Sequence, residues 1–295
     1  MSTDTRHLPA GCVFFALHGE NFDGNKFAQQ ALEQGASLAV VDDPEVYLQA
    51  QRSSSPQGDQ QGAANLPRLL LVEDTLSALQ DLARAWRREL GLPIIGVTGT
   101  NGKTTTKELL AAVLSTKYHI HYTQGNLNNQ IGVPLTLLQI SRAHEMAIVE
   151  MGASHPGDIK ELVEIAEPNC GLITNVGRAH LEGFGSFEGV QRTKQELYDY
   201  LVAHEGLIFR NADNPYLAAM ENNATQCHTT LHNSTPQALC PMAQILWVHT
   251  MPRMCRLRCV WVSILVFHVS RDWRLFANMC QPTTARNKCK RLTTN

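Results

Sequence analysis

The stretch Ile94-Ile95-Gly96-Val97-Thr98-Gly99-Thr100-Asn101-Gly102-Lys103-Thr104-Thr105-Thr106 decides the fold. An apolar run that reads as a buried strand stops at a glycine-rich turn, and a helix-forming segment, 107–114, follows at once. Strand, glycine turn and helix N-terminus together form a phosphate cradle. The glycines let backbone N–H groups close on an anion, and the helix dipole favours negative charge there. In such a cradle Lys103 reaches the outer phosphates and the Thr104 hydroxyl faces Mg²⁺. The strict spacing is not met: Val97 stands where the first glycine is expected, and the glycines fall at 96, 99 and 102. A purely structural glycine turn is the competing reading. The order strand, Gly-Lys-Thr, helix weighs against it.

Working outward, the same alternation recurs on both sides. Upstream, 12–17 reads as a strand, 27–34 as a helix stopped by Gly35, 37–41 and 69–72 as strands, and 75–90 as a helix. Leu76, Leu79, Leu82, Ala83 and Trp86 share one face of that last helix. The segment 51–65, rich in Ser, Gln, Gly and Pro, has no apolar period and reads as a surface loop. Downstream, strands at 119–123, 147–150, 171–176 and 207–209 alternate with helices at 132–138, 156–166, 187–202 and 215–220. This order predicts an α/β protein: a small N-terminal α/β unit, then a parallel sheet covered by helices on both faces.

The 295 residues are 43% hydrophobic with a net charge of −2, which exerts no global pull toward nucleic acid or membrane. The polar start predicts no signal peptide, no apolar run reaches the roughly 18 residues of a spanning helix, and the expected location is the cytoplasm. The averages hide a break. Residues 1–223 hold all 20 glycines and 26 of the 27 acids, whereas 224–295 hold six of the eight cysteines and a single acid, Asp272. That last segment carries +8 against −10 for the rest. About five glycines are expected in a segment of that size at ordinary usage. The composition predicts an aberrant Cys-rich tail, out-of-frame in origin and poorly ordered.

In an open parallel sheet, ligands bind beyond the carboxyl ends of the strands. Glu150 ends one strand, Asn175 ends the next, and His180 follows in the adjoining loop. A carboxylate and an imidazole on the edge that carries the phosphate loop can hold a second metal ion. Each alone is more often a solvated or capping residue. Lys194, inside an ordinary helical pattern, reads as a surface lysine. The Asn-rich loop 125–134 contains Asn128 and Asn129, which either form turns or bind a polar ligand. Asp4, Thr5 and Arg6 precede the first strand.

Together these residues resemble the Mur ligase family. The resemblance is carried by Gly96-x-x-Gly99-Thr100-Asn101-Gly102-Lys103-Thr104-Thr105, Thr3-Asp4-Thr5-Arg6, Phe14-Phe15-Ala16-Leu17, Gly125-x-x-Asn128-Asn129-x-x-Gly132-x-Pro134, Glu150-Met151-Gly152-Ala153 and Thr174-Asn175-x-x-x-Ala179-His180-Leu181-Glu182-Gly183. The Asp-Thr-Arg start and the Asn-Asn loop favour the Mur ligases over the related folylpolyglutamate synthetases, and the motifs together resemble the branch that joins D-alanyl-D-alanine to a UDP-N-acetylmuramoyl-tripeptide.

The resemblance implies an ATP- and Mg²⁺-dependent ligase, a monomer of peptidoglycan precursor synthesis. ATP phosphorylates the substrate carboxylate, and the amine of D-alanyl-D-alanine attacks the acyl phosphate. It assigns Gly99, Thr100, Asn101, Gly102, Lys103, Thr104 and Thr105 to ATP, and Thr104, Glu150, His180 and Lys194 to metal. Lys194 is the position that many Mur ligases carbamylate. Lys103, Lys194 and His180 become the catalytic group, and Asp4, Thr5, Arg6, Asn128 and Asn129 the substrate contacts. The implied domains are 1–88 for the UDP-substrate end, 89–223 for an incomplete ATP-binding domain, and 224–295 as the tail. With the rest of the family's closing surface expected to be absent, two alternatives stay open: a remnant that at most binds substrate, and a folylpolyglutamate synthetase relative.

Overall fold

Alternate residues of a strand face opposite sides of its sheet, and that rule orders the centre of this computed structural model, which describes residues 1–19, 22–53, 68–178, 181–211, 214–220 and 228–231. The chain forms two compact units, Met1–Ala85 and Trp86–Asn295.

The first unit contains β1 (Val13–Phe15), the short antiparallel pair β2 (His18–Gly19) and β3 (Phe22–Asp23), α1 (Ala28–Glu33), β4 (Leu38–Val41), α2 (Pro44–Ser53) and β5 (Leu69–Leu71). Its parallel sheet has the order β1-β4-β5, with Phe14 opposite Ala39 and Val40 opposite Leu70. Phe14, Ala28, Ala31, Ala39 and Val41 form its core. Helix α3 (Thr75–Leu90) leaves the unit. Its first hydroxyl, that of Thr75, donates to Ala16 O at 3.2 Å and to Asp42 Oδ2 at 2.9 Å.

The second unit carries β6 (Ile94–Thr98), α4 (Lys103–Leu114), β7 (Ile120–Tyr122), α5 (Gly132–Leu138), β8 (Met146–Glu150), α6 (Asp158–Ala166), β9 (Cys170–Ile173), α7 (Leu181–Phe184), α8 (Phe187–Ala203), β10 (Leu207–Asn211), α9 (Pro215–Ala218) and β11 (His228–Leu231). All six strands run parallel in the order β11-β10-β9-β6-β8-β7. Ile95 and Val97 are fully buried and pack with Leu110 and Leu114 of α4. Gly96, between them, faces the other way. A Cβ there would meet Leu197 Cδ1 at 3.2 Å and Met151 Cε at 3.2 Å. Its neighbour across the ladder is Gly171, where a Cβ would meet Gly96 O at 2.9 Å and the side chains of Leu197 and Leu201 at 3.2 Å. The paired glycines let α8 sit close to the sheet. Gly96 is thus a packing glycine, and the phosphate turn rests on Gly99 and Gly102, both at positive φ.

Several boundaries differ from the sequence reading for physical reasons. Helix α2 takes in Gln51, Arg52 and Ser53, expected as loop; the remainder of that loop, from 54 to 67, lies outside the described residues. Helix α4 starts at Lys103 because left-handed Gly102 is its N-cap. Leu82 of α3 is 37% exposed, while Arg87 is buried and donates to the carbonyls of Leu92, Ala166 and Glu167. Strand β9 ends at Ile173, so Thr174 and Asn175 belong to the loop beyond it. Strand β11 pairs with β10 inside the segment set apart by composition, so the sheet continues past position 224. The other residues from 221 to 295 lie outside the described ones.

Candidate functional site

Three loops meet at the carboxyl ends of β6, β8 and β9. The first is the turn 99–102. Gly99 has φ +140°, and a Cβ there would run into the Thr174 hydroxyl. Gly102 has φ +79° and opens α4, whose first-turn N–H groups have no carbonyl four residues earlier to receive them. Lys103 lies back across the turn: its Nζ donates to Gly99 O at 2.8 Å and to Thr100 O at 3.2 Å. Burial pushes its pKa below that of an ordinary lysine, opposed by the Glu150 carboxylate.

The second loop follows β8. Glu150 is 1% exposed. Its Oε1 accepts from Asn128 Nδ2 at 2.9 Å and from Thr104 Oγ1 at 3.3 Å. Its Oε2 lies 3.7 Å from Lys107 Nζ, an ion pair beyond hydrogen-bond distance, and has no hydrogen-bond partner among the described residues. Lys107 is itself 1% exposed and stands 5.9 Å from the Tyr122 ring centre. The main chain of Glu150 is fixed as well, its N–H donating to Thr123 Oγ1 at 3.0 Å.

The donor set suits a hard cation. A hydroxyl and a carboxylate, one of whose oxygens is buried without a hydrogen-bond partner among the described residues, are the kind of oxygen ligands that Mg²⁺ takes. Thr104, exposed at the start of α4, and Glu150 would hold it. His180 and Ala179 lie outside the described residues.

Lys194 is not at the surface. It is 2% exposed on α8, in the buried stripe Val190, Thr193, Lys194, Leu197 and Leu201, with its Nζ 5.8 Å from the Phe184 ring centre. Burial, and then the Lys103 ammonium, push its pKa down to about 8. A lysine that is partly neutral near physiological pH is nucleophilic. Two residues on, Glu196 accepts from Gly157 N at 3.0 Å and Lys160 N at 2.8 Å, tying α8 to the start of α6.

The asparagines divide. Asn128 faces Glu150, whereas Asn129 Oδ1 accepts from Gly132 N at 2.9 Å and Ile131 N at 3.2 Å, the turn-forming role. In the first unit Asp4 caps the turn Thr5–His7 and binds Arg6 Nη2 at 2.6 Å. That guanidinium holds the Asp4 carboxyl down at about 2. Sequence reasoning missed Lys107 and Thr174, and left Asn175 without a role.

A glycine turn and helix N-terminus at the carboxyl edge of a parallel sheet define the class: a phosphate-loop α/β domain. Residues 97–241 match the model of the Mur ligase middle domain, and residues 1–87 match that described as Mur ligase family, catalytic domain. The chain is 41% identical over 234 residues to the UDP-N-acetylmuramoyl-tripeptide--D-alanyl-D-alanine ligase of Bacillus subtilis, covering 79% of this chain and 47% of that one. It is 46% identical over 218 residues to the Synechocystis enzyme of the same name, covering 73% and 44%. The crystal structure of Thermotoga maritima MurF ligase in complex with ADP superposes with a TM-score of 0.63 at 33% identity, over 78% of this chain and 49% of that one. The chain belongs to the Mur ligase family. It spans about half the length of the relatives it matches.

Proposed function

We propose that this chain carries the ATP-activating part of a ligase that joins D-alanyl-D-alanine to UDP-N-acetylmuramoyl-tripeptide. The observation that carries the reading is the convergence of Thr104 and Asn128 on Glu150 beside the phosphate turn. The names of the relatives supply the substrates.

In this account the turn Gly99, Thr100, Asn101 and Gly102 curves round the phosphates, N–H groups of Gly102 through Thr105 face them, and Lys103 leaves its carbonyls to meet the outer ones. Thr104 and Glu150, with His180 and a carbamylated Lys194, would hold Mg²⁺, which when bound would neutralise phosphate charge. An oxygen of the tripeptide carboxylate attacks the γ-phosphorus; that P–O bond forms as the bond to ADP breaks. The amine of D-alanyl-D-alanine then attacks the acyl carbon, and inorganic phosphate leaves. Asp4, Thr5, Arg6 and the unit around them take the UDP end, while Asn128 positions Glu150 and Asn129 shapes its own loop. Depressed basicity at Lys194 supports its carbamylation, since a neutral amine is the form that adds to CO₂.

The proposed domains are 1–88 and an ATP-binding domain from 89 that extends beyond 223 to take in β11, and the setting is cytoplasmic peptidoglycan-precursor synthesis by a monomer serving cell shape and division. Among the described residues no helix is long and apolar enough to cross a membrane. Phosphate release from ATP is the test. The reading expects release that needs both tripeptide and D-alanyl-D-alanine and is lost in Lys103→Ala. Release independent of either substrate, or untouched by that substitution, overturns it.

A further inference from the structure

The phosphate turn is held less by its own hydrogen bonds than by the loop that follows β9. Asn175 grips the main chain of one residue through both of its peptide groups: its Oδ1 accepts from Asn101 N at 3.0 Å, and its Nδ2 donates to Asn101 O at 2.9 Å. Thr174 Oγ1 donates to the same carbonyl at 2.7 Å. The Asn175 main-chain oxygen accepts from Thr100 N at 3.0 Å. Thr100 Oγ1 accepts from Gly177 N at 2.9 Å, and the Thr174 hydroxyl fills the space where a Cβ on Gly99 would stand.

This has a chemical consequence. A phosphate-binding turn works by aiming successive N–H groups at an anion. Here the N–H groups of Thr100 and Asn101 are already given to Asn175. The donors left for phosphate include those of Gly102 and the first turn of α4, through Thr105, together with the Lys103 ammonium. The grip also fixes Asn101, an exposed residue, without any help from a ligand. A turn ordered in advance does not have to be ordered by the nucleotide, so affinity is not spent on it.

We propose that Asn175, backed by Thr174, is a positioning residue for the nucleotide: it sets which backbone N–H groups of the turn face phosphate and keeps the turn in its binding shape. The inference rests on the nucleotide-binding reading of the site, and deepens it by moving the determinant of the loop to a neighbouring strand end.

The test titrates ADP with Mg²⁺ into the full chain by calorimetry, with amide hydrogen exchange as a second readout. Asn175→Ala is expected to weaken ADP by about tenfold, the scale of one or two net hydrogen bonds, and to speed exchange at the Asn101 amide. Asn175→Asp keeps the acceptor for Asn101 N–H but sets an anionic oxygen against Asn101 O, so it is expected to be at least as weak as Ala. A merely space-filling side chain would leave the Asp variant near wild type. Thr174→Val is expected to lose affinity and Thr174→Ser, which keeps the hydroxyl, to retain it. Failure of the wild-type chain to bind ADP overturns the nucleotide reading and this inference with it. Wild-type binding that Asn175→Ala leaves unchanged, with Asn101 still protected, overturns this inference alone.

Discussion

Asn128 Nδ2 donates a 2.9 Å hydrogen bond to Glu150 Oε1, and Lys107 Nζ faces the other oxygen of that carboxylate at 3.7 Å. One buried acid is therefore held by an amide, a hydroxyl and an ammonium. Lys107→Met should leave that acid without its cation and cost about 3–5 kcal/mol, the scale for breaking a buried pair. Adding Glu150→Gln should recover most of it. Urea denaturation of the two single variants and the double variant measures the coupling; additive losses would show that the pair does not interact.

The paired glycines of β6 and β9 separate packing from phosphate binding. Gly96→Ala and Gly171→Ala crowd Leu197 and should each destabilise by about 1–3 kcal/mol while the folded protein still binds ADP. Gly99→Ala meets a different obstacle, a φ of +140° and the Thr174 hydroxyl. It should lose ADP binding even where the fold survives. Thermal melts set beside ADP titrations distinguish the two groups, and equal loss of binding in all three variants would refute the division.

Lys194 predicts a pH dependence. Its folded-state pKa, about 8, lies below the ordinary lysine value of 10.5, so unfolding takes up a proton between those values. Stability contributed by this group therefore rises with pH across that window, and the penalty is full below it. In CO₂-free buffer, Lys194→Met should be more stable than wild type at about pH 7, by on the order of 1–3 kcal/mol, with the gap closing toward about pH 10. Parallel stability curves for the two proteins would contradict this.

The same amine predicts carbamate formation. Supplying ¹³C-bicarbonate should give a carbamate carbon resonance in the wild-type chain that is missing in Lys194→Met. A resonance that persists in the variant would place the carbamate elsewhere.

Strands β1 and β4 to β10 and most helices were legible in the sequence because apolar runs and helical periods point to a sheet covered on both faces; β2, β3 and β11 were not. Helix α2 escaped notice because half of its ten residues are polar and its end runs into the Ser- and Gln-rich segment. Lys107 and Lys194 were misleading for a common reason: each has the composition of a surface position but falls on a buried stripe. Lys107 shares its stripe with Leu110, Ala111 and Leu114, and Lys194 with Val190, Leu197 and Leu201. The three- and four-residue spacing was present in the sequence, and a buried lysine on such a stripe signals an anion or a chemical role. Gly96 looked like part of the phosphate turn because its spacing suited one. Only the register of β6 with β9 explains it by packing. Asn175 could be placed at a strand end but not given a role, since its partner Asn101 is 74 positions away in the chain.

The most direct test of the phosphate-loop account is a crystal structure of this chain with ADP and Mg²⁺. The account predicts the β-phosphate against the N–H groups of Gly102 to Thr105, with Lys103 Nζ moved from Gly99 O and Thr100 O onto the phosphate. ADP bound elsewhere, with Lys103 still on those two carbonyls, would contradict it.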